Sequence, residues 1–286
     1  MTLTEVRRLL TELGIRPNRA MGQNFLIDSN ILAIIIEQAR IKPDETVIEV
    51  GPGLGVLTAE LIARAGRVIA IEKDRRLCSY LRDQFPFLEL IEGDAVKVLH
   101  SEFKVQGSAF SVLSSGYKIV SNLPYSISTP ILERFVEAAR KPRSIVVTLQ
   151  REVAARLAAQ PGTKEYGALT LLTQVYYHAT VAHIVSPRCF YPSPRVESAV
   201  VVLERRDPRV TPVPGARFSD AVRAGFAHRR KMLKKQLMGF GKVEEAFARL
   251  GIPATVRGEE LNLDQWIALA NALVPTEPRR DSSTKS

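Results

Sequence analysis

Thr46-Val47-Ile48-Glu49-Val50-Gly51-Pro52-Gly53-Leu54-Gly55 is the stretch that decides the fold of this chain. Its first half is β-rich and mostly apolar, as in a strand covered on both faces. Its second half is a glycine turn, and residues 56–64 beyond it have helical spacing. Strand, glycine turn and helix in that order open an α/β site for a nucleotide-type ligand. Glycines at the first, third and fifth positions of the turn let backbone approach a ligand closely. The dinucleotide fingerprint wants a glycine at the sixth position, where Val56 stands. With Glu49 at the strand's end, the pattern suits S-adenosylmethionine better than a pyrophosphate. A plain structural turn is the alternative for this motif taken alone.

Outward from this stretch, strand and helix signals alternate. Strands are expected at 68–71, 88–91, 117–120 and 144–149, with helices at 75–84 and 129–140 between them. Alternation of this kind implies right-handed βαβ units and a parallel sheet covered on both faces. Residues 176–185 and 197–203 are β-rich and are expected to add antiparallel strands. Helical patterns at 3–13 and 30–40 precede the sheet, the second capped by Asp28 or Ser29. Segment 101–116, rich in serine and glycine, reads as a surface excursion. A proline-rich linker at 207–215 places a boundary between a domain of residues 1–207 and a small helical one of 208–286. The second carries helical patterns at 218–227, 231–238, 243–250 and 263–273, and the tail from about 275 is expected to be disordered.

Bulk composition narrows the partner. The chain has 286 residues, 45% of them apolar, and a net charge of +10. That excess favours a polyanion, because Lys and Arg contacts to phosphate dominate such affinity. No apolar run approaches the roughly 20 residues that cross a bilayer, and the first residues lack the pattern of a secretory signal. Cys78 and Cys189 form no metal spacing or disulfide framework, consistent with free thiols in a reducing cytosol. The four histidines show no ligand spacing, so no metal is expected.

Four polar residues end successive expected strands: Glu49 with its glycine turn, Glu72, Asp94 and Asn122. This is what a ligand crevice in an open α/β sheet requires. Glu72 can accept from both hydroxyls of a ribose, and Asp94 from an adenine amino group. For any one of them, capping a helix is the alternative. Asn122 begins Asn122-Leu123-Pro124-Tyr125. Here the Asn side-chain oxygen and the Leu123 carbonyl can accept hydrogen bonds, Pro124 stiffens the turn, and Tyr125 offers a face for stacking a base. Such a turn suits an exocyclic amine on a planar ring, such as the N6 of adenine.

Taken together, these residues resemble the ribosomal RNA adenine N6-dimethyltransferases, most of all the bacterial small-subunit members. The match includes Gly22-Gln23-Asn24-Phe25-Leu26-Ile27-Asp28, Glu49 to Gly55, Glu72, Gly93-Asp94-Ala95 and Asn122 to Thr129. It continues through Phe190-Tyr191-Pro192-Ser193-Pro194-Arg195-Val196-Glu197-Ser198-Ala199-Val200 and Arg229-Arg230-Lys231. The resemblance implies a Rossmann-like catalytic domain with a small C-terminal helical domain. It implies dimethylation of two adjacent adenosines in a 3′-terminal hairpin of 16S rRNA, in an immature 30S subunit, by a cytoplasmic monomer. It further implies that Asn24 and Leu26 close over the methionine end of S-adenosylmethionine. Gly51, Gly53, Glu72, Asp94 and Asn122 would complete that pocket, with Asn122, Leu123, Pro124, Tyr125 and Phe190 at the reacting base. Phe190 would stack on the adenine opposite Tyr125; for the ring alone, a place in the core is the alternative.

The basic run Arg223, Arg229, Arg230, Lys231, Lys234 and Lys235 lies on helical patterns at three- and four-residue spacing. It reads as a surface that tracks phosphates, which Arg7, Arg8, Arg16 and Arg19 could extend. One departure from the family stands here: Lys234-Lys235-Gln236 where an asparagine is often found. The alternatives are a resistance dimethyltransferase acting on large-subunit RNA, a DNA adenine methyltransferase, and an RNA-binding assembly factor with an idle pocket.

Overall fold

In the computed structural model, the described residues are 1–17, 22–102, 116–138, 140–206, 212 and 217–273. Segment 103–115, most of the linker at 207–216, the tail and Arg19 therefore lie outside them.

The chain divides into two units. One comprises residues 1–158 and 176–207, the other 159–175 and 208–286. The expected division at 207 did not foresee that 159–175 groups with the C-terminal helices. The helix in this stretch, Ala168–Gln174, has only 7 residues, too few for a clear helical period.

In the first unit, helices α1 (Leu3–Glu12) and α2 (Ser29–Ala39) flank a two-residue strand β1 (Phe25–Leu26). Then follow β2 (Thr46–Val50), α3 (Val56–Ile62), β3 (Arg67–Glu72), α4 (Arg75–Gln84), β4 (Glu89–Glu92) and α5 (Ala95–Glu102). After these come β5 (Tyr117–Asn122), α6 (Ser128–Glu137), β6 (Ser144–Gln150) and α7 (Arg151–Leu157). The unit resumes after α8 (Ala168–Gln174) with β7 (Tyr177–Val185), β8 (Phe190–Tyr191) and β9 (Ser198–Arg205). The main sheet has the order β4-β3-β2-β5-β6-β9-β7. The first five strands are parallel, and β9 runs antiparallel to both its neighbours, β6 and β7. The order reverses between β2 and β5, and a parallel sheet binds ligands in the crevice at such a switch point.

The strands are nearly continuous apolar runs because helices cover both faces. Val47, Ile48, Ile69, Ile71, Ile119, Val120, Val146 and Val147 are all buried. Lys118 is a buried cation among them. Lys118 Nζ is 2.8 Å from Glu45 and donates to the carbonyls of Ala39 and Arg40, closing the end of α2. A small ladder, Phe25↔Tyr191 and Leu26↔Phe190, joins β1 to β8. Two-residue strands carry no periodicity, so the sequence gives no sign of them.

The second unit gathers α8 with α9 (Phe218–Phe226), α10 (Leu233–Gln236), α11 (Val243–Leu250) and α12 (Leu263–Ala272). Its centre is Trp266, fully buried, stacked on Phe226 and donating Nε1 to the Gly258 carbonyl at 2.9 Å. A Cβ on Gly225 would sit 2.4 Å from the Trp266 ring, so only glycine lets α9 approach this closely.

Candidate active site

The C-terminal ends of β2, β3, β4 and β5 open on one pocket of about 250 Å³. Its floor is the glycine turn. Gly51, Gly53 and Gly55 all have positive φ, a region that disfavours side chains. Space confirms the requirement: a Cβ on Gly53 would lie 3.1 Å from the Phe25 ring, and one on Gly55 2.4 Å from Phe85. Pro52 and Leu54 complete the turn, and the Gly55 amide closes it on the Pro52 carbonyl at 3.0 Å.

Three carboxylates line the pocket. Glu49 is buried and accepts from Thr58 Oγ1 at 2.7 Å. Burial, and to a lesser degree the charge of Glu72, push its pKa up to about 8. Glu72 accepts from the amides of Lys73 (2.7 Å), Asp74 (2.9 Å) and Gly53 (3.3 Å). Burial still raises its pKa against these donors. Its carboxylate thus ties the end of β3 to the glycine turn of β2. Asp94 is 2.9 Å from Lys73 Nζ and caps α5 through the Val96 amide at 3.1 Å. The Lys73 partner holds its pKa below the usual value. Lys73 and Thr58 were not singled out in the sequence; nothing in their spacing marks them.

Asn122 is the residue that stands apart. Its Nδ2 donates to the Asn24 carbonyl at 3.0 Å, which fixes the amide's orientation. Its Oδ1 is buried and has no donor among the described residues. Buried acceptors are nearly always paired, so an orphan in a pocket wall calls for a donor from a ligand. Thr148 Oγ1, Thr173 Oγ1 and Glu259 Oε2 also have no hydrogen-bond partner among the described residues, but none of the three residues lines the pocket.

The N-terminal loop closes over this turn. Gly22 packs so tightly that a Cβ would come within 2.8 Å of the Tyr125 amide and 2.9 Å of the Ser126 amide. Asn24 holds the loop through the Gly22 carbonyl (3.1 Å), and Asn24 and Leu26 both line the pocket. Leu123 and Pro124 line it too; the Leu123 amide donates to Thr148 O on β6 at 3.1 Å. Tyr125 lies at the mouth with its hydroxyl bonded to Ser198 at the start of β9. Ser198 stands in the sequence only as part of a longer motif.

Phe190 departs from expectation. It is 2% exposed, packs with Leu26, Val120, Val185 and Val200, and is not among the pocket's walls. Its strand β8 pairs with β1, and here the ring plugs the core instead of lining the pocket.

The basic run also differs. Residues 227–231 form a turn between α9 and α10, not a continuous helix. Gln236 holds this turn, accepting from the His228 amide (2.9 Å) and donating to Gly225 O (2.9 Å). Arg229 reaches the carbonyls of Lys164, Tyr166 and Thr163 and lies 3.5 Å from Glu259. It is a tie within the fold, which corrects its assignment as a phosphate contact. Lys234 pairs with Glu244 at 2.8 Å. Arg223, Arg230, Lys231 and Lys235 are exposed. Among the described residues, no group of acidic, histidine or cysteine side chains could hold a metal, and no helix is long and apolar enough to cross a membrane.

Residues 15–274 match the family model described as ribosomal RNA adenine dimethylase. The chain belongs to the ribosomal RNA adenine dimethylase family. It is an S-adenosylmethionine-dependent rRNA adenine dimethyltransferase. Similar curated proteins include ribosomal RNA small subunit methyltransferase A of Streptococcus equi subsp. zooepidemicus, 39% identical over 93% of this chain and 95% of that protein. The protein of the same name from Geobacillus kaustophilus is 39% identical over 94% and 95% of the two chains. Among solved structures, the 23S rRNA methyltransferase ErmE aligns with a TM-score of 0.62 at 28% identity, covering 87% of this chain and 99% of its own. A dimethyladenosine transferase from Plasmodium falciparum shares the fold, with a TM-score of 0.68 at 22% identity over 86% and 95% of the chains. The walls of the pocket fit the family's cofactor: a glycine cradle that a Cβ would fill, buried carboxylates beside it, and an orphan acceptor at its end.

Proposed function

We propose that this chain dimethylates the N6 atoms of two adjacent adenosines in the 3′-terminal hairpin of 16S rRNA, acting as a cytosolic monomer on an immature 30S subunit. The observation that carries this reading is the unpaired, buried Asn122 Oδ1 beside the glycine cradle. When bound, S-adenosylmethionine supplies an electrophilic methyl on its sulfonium sulfur. Gly51 and Gly53 admit it against backbone. Glu72 accepts from the ribose hydroxyls and Asp94 from the cofactor's adenine amine, each already oriented by the contacts above. Asn24 and Leu26 close the methionine end.

Asn122 Oδ1 and the Leu123 carbonyl accept the hydrogens of the target N6. That nitrogen is a poor nucleophile because its lone pair is delocalised into the ring. Two acceptors held in place favour a more tetrahedral nitrogen, and their fixed orientation needs no rearrangement as charge develops. Pro124 stiffens the turn, and Tyr125 stacks the extruded base, with Ser198 holding its hydroxyl. Stacking of this kind, worth about 1–3 kcal/mol per base, offsets the cost of unstacking. Arg223, Arg230, Lys231, Lys234 and Lys235 contact phosphates and position the RNA more than they read it.

A second reading, methylation of large-subunit RNA, is favoured only by the likeness to ErmE. The higher identity and near-complete coverage of the small-subunit relatives support the first. Transfer of labelled methyl to unmethylated small subunits, with mass mapping of the product, separates them. The proposal expects label on two neighbouring adenosines of 16S rRNA, and its loss in Asn122→Ala. Label in 23S rRNA alone supports the second reading. Binding of small subunits without any transfer by the wild-type chain indicates an assembly factor with an idle pocket.

A further inference from the structure

At the end of the main sheet opposite the pocket, cations gather with few carboxylates to balance them. Arg143 precedes β6; its amide donates to Tyr117 O (2.7 Å) and its carbonyl accepts from the Arg205 amide (3.1 Å). The Arg206 amide donates to Tyr176 O at 3.0 Å. Lys141 Nζ lies 4.0 Å from the centre of the Tyr176 ring. Arg40, at the end of α2, reaches across to within 3.5 Å of Glu204. These contacts draw Arg40, Lys141, Arg143, Arg205 and Arg206 onto one rim. Arg143 is 61% and Arg40 76% exposed, and Arg205 and Arg206 are exposed as well.

The nearby carboxylates are already engaged. Glu45 is buried against Lys118 at 2.8 Å, leaving Arg143 at 3.7 Å. Glu204 faces Arg40. Burial lowers the Lys141 pKa, and the charge of Arg205 lowers it further, while Glu137 acts the other way. On this rim Lys141 and Arg205 repel one another, and Arg205 and Arg206 lie exposed. An anion would relieve that repulsion.

We propose that Arg143, Arg205 and Arg206, flanked by Lys141 and Arg40, form a second docking surface for the phosphate backbone of folded RNA. It lies about 20 Å from the pocket, the length of the 7-residue strand β6. Guanidinium groups dominate it, and their planar forks match phosphate oxygens in pairs. Several guanidiniums on one rim suit a polymer of regularly spaced anions. A folded acidic protein, whose surface mixes signs, would complement them less well. The surface rests on the reading that the substrate is structured ribosomal RNA. It explains how an enzyme with one small pocket would hold a large folded RNA at two separated points.

The test uses the full chain, the triple variant Arg143→Ala, Arg205→Ala, Arg206→Ala, and the matching triple lysine variant. Sinefungin affinity reports the pocket. Affinity for unmethylated small subunits and for protein-free 16S rRNA is measured from about 50 to 200 mM salt. The alanine variant is expected to keep sinefungin affinity, to bind both RNAs on the order of tenfold more weakly, and to lower the log–log salt slope by about 2 to 3, given roughly 0.7–0.9 per phosphate contact. The lysine variant, which keeps the charge, should recover most of both. Unchanged affinity and slope in the alanine variant would overturn the proposal. So would weaker binding to subunits with unchanged binding to protein-free RNA, which would assign the rim to an acidic ribosomal protein. If the wild-type chain binds neither RNA, the substrate reading fails first and this surface falls with it.

Discussion

At the Asn122–Tyr125 turn the fold leaves a buried acceptor, Asn122 Oδ1, without a donor among the described residues; at the basic turn of the C-terminal unit it ties Arg229 to three carbonyls. Both places were conspicuous in the sequence as polar residues grouped together. Only the first lies in a pocket wall. An unpaired buried acceptor forfeits about 1–3 kcal/mol, and Glu49 and Glu72 beside it are carboxyls whose charge burial disfavours. Arg229, by contrast, satisfies backbone that would otherwise end in solvent. Of the buried polar atoms without a partner among the described residues, only Asn122 Oδ1 belongs to a residue that lines the pocket.

The sharpest way to break this contrast is Asn122→Ala. Methyl transfer should fall by two to three orders of magnitude, about 3–4 kcal/mol at the transition state. Single-turnover rates would show it, with unfolding midpoints little changed. A loss smaller than tenfold would mean that the orphan acceptor does not face the reacting nitrogen.

Glu49→Gln sharpens the contrast through pH. The Glu49 carboxyl has an ordinary pKa of 4.5 and about 8 in the folded chain. Below the lower value both states hold the proton, and nothing is lost. Between the two, the unfolded chain has released a proton that the folded chain keeps, so stability falls as pH rises, and the penalty is complete above about 8. Glutamine should remove this fall and raise stability at pH 8 relative to pH 5, by an amount on the order of a few kcal/mol. Urea unfolding at the two pH values measures it. An identical pH slope in variant and wild type would show that Glu49 is ionised in the folded chain.

Arg229→Ala should do the opposite and destabilise the chain by about 1–2 kcal/mol, since hydrogen bonds from a charged group are worth about 1.5–3 kcal/mol each and this one is half exposed. Arg230→Ala or Lys235→Ala should leave the melting temperature within error. Each should weaken RNA binding and lower its salt slope by somewhat less than 1. If Arg229→Ala instead changed the salt slope at constant stability, its place as an internal tie would be wrong.

Sequence reasoning reached some parts of this molecule and not others, for physical reasons. The parallel strands were legible because burial on both faces demands long apolar runs, as in Thr46–Val50 and Ser144–Gln150. The pocket was legible because four strands end in polar residues, and a sheet that binds at its carboxyl edge must place them there. Phe190 was misread because its direction depends on a two-residue ladder with β1, which leaves no pattern. The helix expected at 231–238 is present but short, Leu233–Gln236, and the turn at 227–231 before it left no pattern. Gln236 folds back on His228 and Gly225, a contact across eight and eleven residues that helical spacing cannot reveal. The same glutamine explains the departure at Lys234-Lys235-Gln236, since here it secures the turn that presents Arg230 and Lys231.

The most direct test of the pocket is a crystal structure of the chain with sinefungin. The account predicts the analogue's ribose hydroxyls on Glu72, its adenine beside Asp94, and its amine-bearing carbon within reach of Asn122 Oδ1 and the Gly51–Gly53 turn. Sinefungin bound away from Asn122 and Tyr125, with the glycine cradle vacant, would contradict it.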